Sequence, residues 1–137
     1  MVRTTITAEF CTCVVEVWNL VTNAGDCSWR SDVYRSEADP DSRRFTEYGR
    51  NGIATEFFVT ARDEYTLYAF DMKNKNIKGT WKGEFFSVPA GGTKVRFTEE
   101  IYFSSTALQL LAQFWKPVQK MQRRYILDLR RRLGEMN

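Results

Sequence analysis

Apolar positions recur along this chain with two different periods, and the change between them predicts the architecture. From Asp32 to about Ser104 they recur every second residue, the period of a half-buried strand. From Thr106 to Asn137 they recur every third or fourth residue, the period of an amphipathic helix. In that helix Leu108, Leu111, Trp115, Val118, Met121, Tyr125, Leu129 and Leu133 are expected to share one face, with Lys116, Lys120, Arg123, Arg124 and Arg131 gathered opposite. So long an apolar stripe needs an apolar partner, and only strands are on offer. A sheet bent around a helix tends to leave a cavity between them.

The β-period region divides into six strands, at about 32–38, 43–50, 53–61, 65–72, 77–88 and 93–104. Turn chemistry closes each: Asp39-Pro40-Asp41, Asn51-Gly52, Arg62-Asp63-Glu64, the Lys/Asn run 73–76, and Pro89-Ala90-Gly91-Gly92. Asn51-Gly52 is the sharpest signal, because both residues tolerate the positive φ of a tight hairpin. Upstream, the β-branched run 2–7 predicts a first strand. Val14, Val17, Trp18 and Val21 then fall at helical spacing within 10–21, and a second short helical turn is expected around 26–29. Short connections make sequential strands antiparallel. The predicted fold is α+β: a curved seven-stranded antiparallel sheet wrapped around a long C-terminal helix, with two short helices after the first strand, in one domain spanning 1–137.

Two strands carry more specific information. In the last, Val95, Phe97, Ile101 and Phe103 share a face, and Glu99 has their parity, which makes it the one acidic side chain this strand would direct inward. In the strand before it, Gly79 and Gly83 flank Trp81 in one row, a pattern that lets a sheet curve and leaves room above it.

Composition narrows the chemistry. The chain has no histidine, so histidine-based triads, HExxH zinc sites and histidine-ligated iron are excluded, and proton transfer would fall to Asp, Glu, Lys, Tyr or Cys. Three cysteines, Cys11, Cys13 and Cys27, suit reduced thiols in a cytoplasmic protein; Cys11-Thr12-Cys13 lacks the C-x-x-C spacing and a second pair, and is expected to be buried or half-buried and inert. No metal or cofactor is expected. The net charge of +3 is uneven: residues 106–137 hold seven Lys/Arg against two Asp/Glu. A solvated helix face explains this excess, and docking on a membrane surface or an acidic protein is the alternative. Arginines without interleaved exposed aromatics give no nucleic-acid signature. No segment approaches eighteen uninterrupted apolar residues and no leader is evident, so a cytoplasmic location is expected.

The element order, with Glu16-Val17-Trp18 and Leu20-Val21-Thr22-Asn23 in the first helix, then Trp29, Gly79-Thr80-Trp81, Gly91-Gly92-Thr93-Lys94-Val95 and the terminal amphipathic helix, resembles the START-like helix-grip (START/Bet v 1-like) superfamily. Within it the local sequence is similar to the bacterial polyketide cyclase/dehydrase-like, or SRPBCC, branch. The resemblance covers the whole chain and implies a hydrophobic cavity between sheet and helix that binds lipids, isoprenoids or polyketides, in some members with cyclisation chemistry. It fixes no catalytic motif.

Candidate ligand contacts are Phe57, Val59, Tyr68, Phe70, Trp81, Phe97, Glu99, Phe114, Trp115, Val118 and Met121; each serves equally as ordinary core. Trp81 and Trp115 are expected to border the same space. Glu99 facing an apolar cavity would have a raised pKa suited to acid/base work, with Tyr68 as a hydrogen-bonding partner. The structural alternatives are a bulge turning Glu99 to solvent, or an internal ion pair with Arg35 or Lys78. Pro117 would kink the long helix, as a gate or simply to follow the sheet. The leading functional expectation is binding of a small hydrophobic molecule; the alternatives are a cyclase/dehydratase-like enzyme using Glu99, and a docking module using the basic helix face.

Overall fold

A computed structural model of the protein describes residues 1–105 and 116–136, with the backbone only for Lys116. The elements run β1 (Val2–Phe10), α1 (Val14–Thr22), β2 (Val33–Ala38), β3 (Arg44–Gly49), β4 (Ala54–Asp63), β5 (Leu67–Lys73), β6 (Ile77–Ser87), β7 (Thr93–Phe103) and α2 (Lys116–Arg132). All seven strands form one antiparallel sheet in the order β1-β7-β6-β5-β4-β3-β2. Each hairpin therefore joins neighbours, and β1 reaches back across the chain to pair with β7. Among the described residues no helix is long and apolar enough to cross a membrane.

Local chemistry sets the boundaries. The Asn51-Gly52 turn forms where expected, but only Gly52 takes a positive φ, 80°; the loop closes over three residues, with the Gly49 amide donating to Ile53 C=O at 2.9 Å and the Ile53 amide donating to Asn51 Oδ1 at 3.0 Å. β1 runs on to Phe10, beyond the expected end at Thr7, because Phe10 is buried and pairs with Thr93. The helix consequently starts at Val14. The second short helix is a single turn, with the Arg30 amide donating to Cys27 C=O at 2.9 Å. Cys11 and Cys13 are exposed rather than buried, since the β1–α1 corner projects outward.

The expected face of the terminal helix is rotated. Val118, Gln122, Ile126 and Leu129 are buried, with Tyr125 and Leu133 half-buried, whereas Met121 is 55% exposed. The inward stripe follows steps of four through 118, 122 and 126, and a polar Gln122 hides that stripe from a hydrophobicity pattern. Gln122 is accommodated because its Nε2 donates to Thr4 C=O at 3.2 Å. The first part of the predicted helix, 106–115, lies outside the described residues, and so do Leu108, Leu111, Phe114 and Trp115. Pro117 is the second described residue of α2, and the segment it would kink against lies outside the described residues.

Both ends of α2 are tied down. Near its N-terminus Val118 packs with Val2 and Ile101. At the other end Gly134 adopts φ 74°, and the Glu135 carboxylate accepts from the Cys11 amide at 2.6 Å, the Thr12 amide at 3.1 Å and the Thr12 hydroxyl at 2.6 Å. The chain's last residues thus cap the corner that leads into α1. On the far side α1 packs Trp18 edge-on against Phe85, with centroids 5.0 Å apart.

The two glycines of β6 do different jobs. A Cβ at Gly79 would collide with the Glu100 carbonyl of β7, so this glycine permits the close approach of the two strands. A Cβ at Gly83 would sit 2.6 Å from the Trp81 ring, so that glycine makes room for the indole itself. The ring cannot step aside, since it stacks on Phe70 at 4.9 Å and 5°. Gly83→Ala is expected to lose about 1–3 kcal/mol in denaturant unfolding and to shift the tryptophan emission; unchanged stability and emission would show that the indole does not lie over this glycine.

Candidate functional site

The inner face of the sheet is an aromatic floor. Phe45 of β3 stacks on Phe57 of β4 at 4.7 Å, Phe57 meets Phe70 of β5 edge-on at 5.0 Å, and Phe70 stacks on Trp81 of β6, which leans on Phe97 of β7 at 4.9 Å. Each ring occupies an inward position of its strand, so the row follows from the two-residue period. Above it stand Tyr125 of α2, edge-on to Phe97 at 5.5 Å, and Trp29 from the α1–β2 connection, edge-on to Tyr125 at 5.1 Å. Between floor and roof lies a cavity of about 520 Å³. That volume falls in the range of small-molecule sites.

Of the residues expected here, Phe57, Tyr68, Phe70, Trp81, Phe97, Glu99 and Val118 line the cavity, and Met121 lines it from its exposed position. Val59 packs against the core without reaching the cavity. Phe114 and Trp115 lie outside the described residues, so the shared border of Trp81 and Trp115 does too. Lys120, Arg123, Arg124 and Arg131 are exposed, as the charge pattern implies for the outer face. Lys116 starts α2, and its side chain is not among those described.

Polar groups enter this apolar space at two places. The first is Arg30, a residue that nothing in the periodicity marks. Its guanidinium donates to Asp32 at 3.2 Å and to Glu47 at 3.3 Å, and it lies 4.8 Å from the Tyr125 ring centroid and 5.5 Å from that of Trp29. Burial works against its charge, but Glu47, Tyr125 and Asp32 outweigh burial and hold it firmly protonated. Burial raises the Glu47 carboxyl above its ordinary range, with Arg30 opposing. The Tyr125 phenol is likewise raised, chiefly by burial. α2 holds this turn in place through Asp128, whose buried carboxylate accepts from the Ser31 amide at 2.8 Å and the Ser31 hydroxyl at 2.9 Å.

The second is Glu99. It is 9% exposed, between Thr4 and Trp81 in the sheet register, and faces the cavity. Neither Arg35 nor Lys78 pairs with it: Arg35 is exposed and bridges to Glu37 at 3.4 Å, and Lys78 is exposed. Among the described residues the cation drawn into the interior is Arg30. Glu99 feels its charge but makes no hydrogen bond or ion pair with the described residues. Burial lifts its carboxyl to about 7, with Arg30 pulling the other way. Two more buried groups on the cavity wall are unsatisfied among the described residues, the Trp29 Nε1–H and the Tyr68 hydroxyl, and burial pushes the latter up to about 12.

Tyr68 is not a direct neighbour of Glu99. It pairs with Gly83, which pairs with Phe97, so the two side chains stand two strands apart, about 10 Å by strand spacing alone. Together they can grip separate points of one bound molecule but cannot share a proton.

No family model and no curated protein matches the chain. Solved structures do match, and they define its class: this is a START-like helix-grip fold. A START superfamily protein from Mycobacterium smegmatis superimposes with TM-score 0.78 over 98% of this chain and 99% of its own, at 10% identity. A conserved protein from Geobacillus kaustophilus gives 0.82 over 98% and 96%, also at 10% identity. The di-domain ARO/CYC protein BexL of the BE-7585A biosynthetic pathway gives 0.80 at 12% identity, with 98% of this chain covering 47% of that one. At such identities the likeness is one of fold.

Glu99 holds its proton more tightly in the folded protein than in the unfolded chain, so stability should fall as pH rises from about 4.5 and finish falling above about 7. Glu99→Gln removes this dependence. Its stability advantage over the parent should grow by about 2–3 kcal/mol between about pH 5 and about pH 8 in denaturant unfolding; a constant difference would mean that the carboxyl is solvated.

Proposed function

We propose that the protein binds a small, largely hydrophobic molecule in the cavity between the sheet and α2. One observation carries this reading: an apolar, ring-lined space of about 520 Å³ has three buried polar groups on its wall, at Trp29, Tyr68 and Glu99, without partners among the described residues. Buried polar groups are nearly always satisfied in folded proteins, and leaving one unpaired costs about 1–3 kcal/mol. A ligand with a flat apolar body and a few polar atoms would satisfy both the rings and the orphaned groups. The fold is compatible with this role, since its named relatives include a START superfamily protein and an ARO/CYC protein.

A catalytic reading draws on Glu99 alone. A carboxyl with a pKa of about 7 inside an apolar space is suited to give or take a proton at neutral pH, as cyclisation or dehydration of a polyketide-like substrate would require. Tyr68 would then position the substrate at a second point.

A neutral naphthalene dye such as N-phenyl-1-naphthylamine should bind saturably with one site per chain and brighten on binding. Ile6→Trp and Thr55→Trp, at two lining positions, should each weaken it by about tenfold or more by filling the space. Binding that ignores both substitutions would place the dye elsewhere and remove the cavity from consideration.

A further inference from the structure

The charges on the cavity wall do not balance, and the imbalance has a sign. Arg30, Asp32, Glu47 and Glu99 line it, together with Asp26, Arg50 and Arg124. Arg30 is already committed, with Asp32 and Glu47 at 3.2 and 3.3 Å and the rings of Tyr125 and Trp29 beside it. One guanidinium thus serves two carboxylates, and Glu99 is left unmatched. Of the remaining lining charges, Asp26 is engaged by Ser28 at 2.6 Å and Arg132 at 3.8 Å, Arg50 donates to the Ser31 carbonyl at 3.0 Å, and Arg124 is exposed. An anionic head group beside Glu99 would meet a carboxyl with no ion pair, and the one guanidinium nearby already serves Asp32 and Glu47; Arg124, the lining cation without a hydrogen bond or ion pair among the described residues, is exposed to solvent. A cation would meet Glu99 with no ion-pair partner in place among the described residues, only the longer-range charge of Arg30.

The neighbours of Glu99 point the same way. Trp81 is its cross-strand partner, and Phe97 precedes it by two residues on the same face, so two aromatic rings line the space beside the carboxylate. Aromatic rings are favourable neighbours for a cation. The orphaned Trp29 N–H is a donor only, so whatever approaches it must present an acceptor.

We propose that the ligand is cationic: a small aromatic or polycyclic amine whose ammonium group pairs with Glu99 against the rings of Trp81 and Phe97, and whose body carries a hydroxyl or carbonyl oxygen that accepts from Trp29. This rests on the cavity-binding reading above and specifies its ligand class. It also runs against the protein's overall charge, +3, so a preference for an amine cannot arise from long-range attraction to the surface.

A matched series tests it: 2-(2-naphthyl)ethylamine, 2-(2-naphthyl)ethanol and 2-naphthylacetate, titrated calorimetrically at about pH 8. The amine should bind about tenfold or more tighter than the alcohol, and the acid should bind weakest. Glu99→Gln should abolish the amine's advantage while the alcohol's affinity stays within about twofold. An alcohol that binds the parent as well as the amine would overturn the charge inference and leave cavity binding standing. An amine preference that survives Glu99→Gln would also overturn it, because the cation would then be recognised elsewhere. Failure of all three ligands and of the neutral dye would remove the binding reading and the inference together.

Discussion

A single guanidinium under the C-terminal helix organises the interior. Arg30 lies in a turn that no sheet hydrogen bond secures, yet its head is fixed by Asp32, by Glu47 from β3 and by the face of Tyr125 from α2. Taking a charge out of water costs several kcal/mol, and that cost is offset only where partners converge with good geometry. The convergence requires α2, β3 and the α1–β2 connection to hold one arrangement. Asp128 enforces it from the helix side by gripping Ser31, the residue between Arg30 and Asp32. Gln122 and Glu135 fasten the same helix to β1 and to the β1–α1 corner. The roof of the cavity is therefore pinned by polar contacts at its edges, which leaves the space beneath it open.

The consequence for chemistry lies in what Arg30 cannot do. Its charge is spent on two carboxylates, so Glu99 receives only a longer-range pull that burial outweighs. The interior consequently has a satisfied pole at Arg30 and an unsatisfied one at Glu99. On the floor itself Phe70 and Trp81 stack nearly parallel, and Gly83 leaves room for the indole. A cavity of this kind combines rigid walls with an uneven polarity, the usual basis of orientation as well as affinity.

The strands were legible in the sequence because two independent signals agreed, alternation within each run and turn-forming residues between runs. Glu99 was legible for the same reason, since its parity with Phe97 and Ile101 is fixed by the pleat and no bulge intervenes in β7. The helix was legible as a helix but not in its exact facing, because Gln122 and Asp128 sit on the buried side, where each meets a backbone or hydroxyl partner far away in sequence. Arg30 was illegible. It belongs to a turn without periodicity, and its burial depends on Glu47 and Tyr125, which lie 17 and 95 positions further along the chain. Arg35 and Lys78, the cations named as possible partners of Glu99, are both exposed. In this molecule the chemistry of the site is set by contacts that only the folded chain creates.

The account turns on Glu99 being buried and uncompensated, and its proton can be observed directly. Carbon-13 labelling of glutamate side chains, with Glu99→Gln to assign the signal, would follow each carboxyl through a pH titration by NMR. The expected result is one glutamate titrating near 7, whose signal is absent from the variant. If the signal that disappears instead titrates near the ordinary 4.5, Glu99 is solvated or paired, and the unsatisfied pole of the cavity does not exist.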